Sequence, residues 1–119
     1  MEIKLFDSEI KVIDVLWKNG DTTAKRISDI LKEQTGWNMN TTYTLIKRCI
    51  GKGAIERREP NFLCHALIPK ESVQEQETNE LINKVFDGSA DLLFASLLNR
   101  KHLSSKEIER LKQIVNSLE

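Results

Sequence analysis

Between Asn38 and Lys52 the sequence reads NMNTTYTLIKRCIGK, and its polar residues recur at helical spacing. Asn40, Tyr43, Thr44, Lys47 and Gly51 share one side of such a helix, with Arg48 at the margin and Thr41 in the same first turn. Thr42, Leu45, Ile46 and Cys49 share the opposite side and must pack inward. The outer face carries amide and hydroxyl groups near its start, bases further along, and no acid. Amides and hydroxyls reach base edges and phosphates, and a helix N-terminus favours phosphate. An ordinary solvated helix face more often mixes Glu with Lys. The chemistry to expect is therefore hydrogen bonding and charge pairing to double-stranded DNA.

A second basic group follows at Arg57 and Arg58. Ala54–Arg58 and Phe62–Ile68 read as two strands around the turn residues Glu59-Pro60-Asn61. A basic hairpin placed there would bring both arginines close to backbone phosphates. Other chemistries find less support. Cys49, Cys64, His65 and His102 match no zinc spacing, and no metal or other cofactor is expected. The two cysteines read as reduced, buried thiols. No nucleophile–base set, phosphate-cradling glycine loop or paired catalytic carboxylates appear, so no enzyme activity is expected.

Three helices are needed to position these residues. Ser8 opens a first helix that runs to about Asn19 and stops at Gly20, with Ile10, Val12, Ile13, Val15, Leu16 and Trp17 on one side. Asp21 or Thr22 caps a second, about Ala24–Gln34, with Ile27, Ile30 and Leu31 inward. Asn38 caps the third, about Met39–Lys52, which stops at Gly53. A three-helix unit followed by a hairpin is a winged helix-turn-helix, closed here by Pro69.

Net charge is zero, with 18 Lys and Arg against 18 Asp and Glu, yet the charge is unevenly spread. Residues 24–58 carry eight bases against three acids, a balance expected of a DNA footprint. Hydrophobic and charged fractions of 39% and 30% suit a globular chain. No apolar run approaches the roughly 20 residues that span a bilayer. The N-terminus MEIKLFDSEI has no secretory apolar core, so a cytoplasmic location without membrane insertion is the expectation.

The remainder is helical and chemically different. Glu71 to about Phe86 turns apolar at Leu81, Ile82, Val85 and Phe86, and Asp87-Gly88-Ser89 breaks it. Ala90–Asn99 is short and very apolar, with Leu93, Phe94 and Leu97. Ser104-Ser105-Lys106-Glu107 is a capping box that opens a last helix with the stripe Ile108, Leu111, Ile114, Val115 and Leu118. Three short helices cannot bury this surface against one another, and a second copy of the chain buries matching stripes economically. Folding back onto the first half as a monomer is the alternative. The expected organisation is mainly α with a small β-hairpin: a winged-helix DNA-binding domain at 1–69 and a helical dimerisation domain at 70–119.

Three stretches also resemble one family in unbroken order. They are Glu9-x-x-Val12-x-x-x-x-Trp17, then Trp37-Asn38-Met39-Asn40-Thr41-Thr42-Tyr43-Thr44-Leu45-Ile46-x-Arg48, then Lys52-Gly53-Ala54-Ile55. With Phe86-x-Gly88-Ser89 and Leu103-Ser104 further on, they resemble the penicillinase and methicillin-resistance repressors, the BlaI/MecI family. The resemblance implies a homodimeric repressor on a palindromic operator. It also implies release by a β-lactam-triggered, sensor-linked protease that cuts in the dimerisation region. The matching bond here follows Asn99, with Arg100 where the family carries an aromatic residue. Met39 stands where the family commonly has proline. A copper-responsive branch switches through a C-terminal cysteine cluster, which this chain lacks. Two other classes stay open: a winged-helix regulator that senses a small molecule between its two regions, lined by Phe86, Leu93, Phe94 and Leu97, and a winged helix that binds protein alone.

Overall fold

Contacts divide the computed structural model into two units, Met1–Gln74 and Glu75–Glu119. The structure describes residues 3–99 and 103–118. Helices α1 (Asp7–Asn19), α2 (Ala24–Thr35) and α3 (Met39–Gly51) form the first unit with strands β1 (Thr22–Thr23), β2 (Ile55–Arg58) and β3 (Leu63–Ala66). Helix α4 (Lys70–Val85) begins in that unit, and α5 (Ala90–Asn99) and α6 (Ser105–Ser117) lie in the second.

Local chemistry sets each boundary. Helix α1 starts one residue before Ser8, because Glu9 reaches back and accepts the Phe6 N–H at 2.7 Å, capping the helix from within. Helix α2 takes its cap from Thr23, whose hydroxyl accepts the Arg26 N–H. Thr22, expected in that role, pairs with Cys64 in the sheet and donates its hydroxyl to the Gly20 carbonyl instead. Asn38 caps α3 as expected, accepting the Thr41 N–H at 2.8 Å. Gly36 ends α2 in the left-handed conformation that glycine adopts without strain.

The sheet is antiparallel in the order β1-β3-β2. Strands β2 and β3 form the expected hairpin, with Ile55 opposite Ala66 and Arg58 opposite Leu63. The core gathers Val12, Ile13 and Leu16 of α1, Ile27 and Leu31 of α2, Leu45, Ile46 and Cys49 of α3, then Ile55 and Cys64 of the hairpin. Each fully buried large apolar side chain contributes about 1.5–3 kcal/mol. Trp17 is partly buried, and its indole N–H donates to the Ile68 carbonyl at 3.0 Å, tying α1 to the chain beyond β3. Val73 of the first turns of α4 joins the same core. Burial pushes the Cys49 thiol up to about 12 and the Cys64 thiol to about 11, so both stay protonated and unpaired.

The second unit differs. Helix α4 ends at Val85, where Asp87 and Gly88 take positive φ and the Gly88 N–H returns to the Ile82 carbonyl. The capping box at α6 is complete: Ser104 accepts the Glu107 N–H, and Glu107 accepts the Ser104 N–H. Yet among the described residues of this unit none is buried.

Candidate nucleic-acid interface

Helix α3 sorts its residues as its spacing demands. Thr42, Leu45, Ile46 and Cys49 are buried, while Asn40, Thr41, Thr44, Lys47 and Arg48 are exposed. Asn40, Thr41, Thr44, Leu45 and Arg48 border a shallow depression of about 300 Å³. The Thr44 hydroxyl donates to the Asn40 carbonyl at 2.8 Å, which fixes its rotamer and leaves its lone pairs as acceptors. Among the described residues, Lys47 and Arg48 make no ion pair. A helix surface with two bases outside any ion pair and no acid of its own attracts a polyanion. Tyr43 is half-buried, its ring set edge-to-face with Phe62 at 5.8 Å.

The two hairpin arginines occupy different settings, because neighbouring strand residues point to opposite faces. Arg57 stacks on the Phe62 ring at 3.7 Å and bonds Glu59 through Nε at 2.7 Å. Arg58 pairs with Glu56 at 3.3 Å and with Asp21 at 3.6 Å. His65 bonds the other Asp21 oxygen through Nδ1 at 2.7 Å. Arg57 is thus linked through Phe62 to Tyr43 of α3, whereas Arg58 belongs with the chain ahead of α2.

One pair escaped sequence reasoning. Glu9 is fully buried, and its Oε1 accepts from Lys52 Nζ at 2.6 Å as well as from Phe6. Lys52 also donates to the Lys4 carbonyl and sits 4.1 Å from the centre of the Phe6 ring. Burial opposes ionisation of Glu9, but the Lys52 and Phe6 hydrogen bonds and the Lys52 and Arg48 charges outweigh it and hold the carboxyl below its usual range. Lys52 follows the last turn of α3, where a cation also suits the helix dipole. The pair therefore anchors the C-terminal end of α3 to α1. The signal was legible: Glu9 stands with Val12, Ile13 and Leu16 at the i, i+3, i+4, i+7 positions of the apolar stripe. A carboxylate there needs a buried partner.

In the second unit Leu81, Val85, Phe94, Ile114, Val115 and Leu118 are exposed, and Phe86, Leu93, Leu97, Ile108 and Leu111 are half-buried. Leu92 and Leu98, not among the expected residues, are exposed with them. Helices α5 and α6 frame an almost wholly apolar depression of about 660 Å³ that includes Phe94, Leu98, Leu111 and Val115. Asn99 ends α5; Arg100 and His102 lie outside the described residues. No His, Cys, Asp and Glu cluster suited to a metal occurs among the described residues. Nor is any described helix long and apolar enough to cross a membrane.

Three helices, the third with its polar face outward, and a hairpin behind them define a winged helix-turn-helix protein. The chain belongs to the penicillinase repressor family, whose sequence profile matches residues 5–117. It is similar to the methicillin resistance regulatory protein MecI of Staphylococcus aureus (strain N315), at 29% identity over 115 residues covering 95% of this chain and 94% of the relative. It is also similar to the penicillinase repressor of Bacillus licheniformis, at 25% identity over 94% of this chain and 89% of that one. Among solved structures, the DNA-binding domain of the repressor BlaI superposes with a TM-score of 0.54 at 24% identity, covering 57% of this chain and 85% of that domain. That likeness concerns the fold alone.

Proposed function

We propose that this chain is a sequence-specific transcriptional repressor that binds a palindromic DNA operator in the cytoplasm as a homodimer. The observation that carries the proposal is the exposed face of α3, from Asn40 to Arg48, which has no acid and whose two bases make no ion pair among the described residues. Asn40 and Thr44, with Thr41 and Tyr43 beside them, face base edges in the major groove. Lys47 and Arg48 take phosphates, and Arg57 and Arg58 extend the contact to the adjacent backbone. Family membership and the names of the relatives support the repressor role.

The second unit supplies the dimer. A helical segment in which no described residue is buried gains stability when its apolar face meets an identical one. A two-fold protein then reads two half-sites about one helical turn apart. Control of β-lactam-resistance genes, with release by a sensor-linked protease cutting after Asn99, completes the proposal.

Selection from a random duplex library tests the reading surface. The expected outcome is an inverted repeat with half-sites about one turn apart; enrichment of no sequence would overturn it. Release is tested by exposing cells to a β-lactam and blotting for a fragment that ends at Asn99. An intact chain under induction rules out cleavage as the switch.

A further inference from the structure

We infer that Phe62 is the positioning residue of the wing: its ring sets Arg57 at a fixed place relative to α3, so that helix and hairpin meet DNA as one piece. The inference rests on the DNA-reading role proposed above and adds a residue to which neither sequence nor family resemblance assigns a task.

Its backbone comes first. Asn61 and Phe62 have φ of 68° and 53°. The left-handed region is open to glycine and tolerated by asparagine, but a bulky aromatic there is an outlier that its surroundings must hold in place. The surroundings do so at both ends of the residue. The Phe62 N–H donates to Glu59 Oε2 at 3.1 Å, within the turn of the hairpin. The Phe62 carbonyl accepts the Ala24 N–H at 3.0 Å, at the start of α2.

The side chain repeats the pattern. The ring pairs edge-to-face with Tyr43 of α3 and carries the Arg57 guanidinium 3.7 Å from its centre. Glu59 closes the clamp: one oxygen holds the Phe62 N–H and the other holds Arg57 Nε at 2.7 Å. Glu59 thus engages the inner nitrogen of the guanidinium, and the two terminal nitrogens can still fork onto a phosphate end-on. A glycine would occupy position 62 with less backbone strain. Phenylalanine at a glycine-favouring position makes sense when the ring has work that glycine cannot do.

The substitution Phe62→Gly separates the two roles, because it relieves the backbone while deleting the ring. Binding of the full chain to a duplex of its own upstream region is measured against salt for the wild type, F62G, R57A, the double variant and F62Y. F62G and R57A should each bind roughly fivefold more weakly at about 0.15 M salt, with a salt slope smaller by about two, one phosphate contact being lost from each protomer. The double variant should be no weaker than either alone, and F62Y should restore binding. Losses that multiply to roughly 25-fold in the double variant, or wild-type binding by F62G, overturn the proposal.

A second readout needs neither DNA nor a variant. In the free wild-type chain the Arg57 side-chain proton resonances should lie upfield, shielded by the Phe62 ring. Ordinary shifts overturn the clamp itself. Upfield shifts in a chain that binds no duplex instead overturn the DNA-reading role, and the wing function with it, while leaving the Arg57–Phe62 geometry standing.

Discussion

Glu9 and Lys47 illustrate two uses of charge at the level of single residues. Glu9 is buried and paired, with a second oxygen that has no hydrogen-bond partner in the structure. Removing it leaves Lys52 without its anion, but Lys52 is 30% exposed and can regain water. Glu9→Ala should therefore cost about 2 kcal/mol, less than the loss of a wholly buried partner, measured by urea unfolding. Because the folded carboxyl titrates below its ordinary value of 4.5, the stability it contributes is present above that value. It is lost as pH falls through the lower folded value. The wild-type urea midpoint should thus fall more steeply with acid than that of Glu9→Gln; parallel falls would contradict the pairing. In the proposed complex with DNA Lys47 has the opposite use. Lys47→Ala should weaken binding to all duplexes alike and lower the salt slope of the dimer by about two, whereas Thr44→Ala or Asn40→Ala should also change the preference among operators. The α3 residues were legible because helical spacing alone separates polar from apolar. Glu9 was visible as an acid in an apolar stripe, but its partner lies 43 residues away, a pairing that only the fold creates.

At the level of elements, α3 and α6 were readable because a polar side chain at the N-cap opens each. Asn38 opens α3 and Ser104 opens α6 as the sequence implies. Asn38→Ala should lower stability by about 1 kcal/mol, visible in thermal unfolding; an unchanged melting temperature would show that the cap is idle. The misses have two causes, a local cap from inside the helix and pairing with a distant strand. Helix α1 starts one residue early because its cap comes from a residue inside it; α2 starts at Ala24 as expected but takes its cap from Thr23, because Thr22 is drawn into the sheet. Strand β1 has two residues, too few for any alternation to show, and owes its conformation to pairing with β3. The consecutive arginines of β2 looked equivalent in sequence. Strand geometry gives Arg57 to Phe62 and Arg58 to Asp21.

For the whole molecule, zero net charge conceals a division of labour. Residues 24–58 carry eight bases against three acids, and the apolar surface concentrates in α5 and α6. Composition alone missed this; position along the chain showed it. In the proposed dimer the apolar helices form the interface. Leu111→Asp with Val115→Asp should give a monomer by sedimentation, and an unchanged mass at every concentration would refute the dimer. DNA reading by α3 and the wing is tested most directly by the salt dependence of binding to the chain's own upstream region. With Lys47, Arg48, Arg57 and Arg58 on each protomer, the proposed dimer neutralises about eight phosphates, so affinity should fall roughly ten-thousandfold between about 50 and 200 mM salt. Binding that ignores salt, or no binding at all, would contradict it.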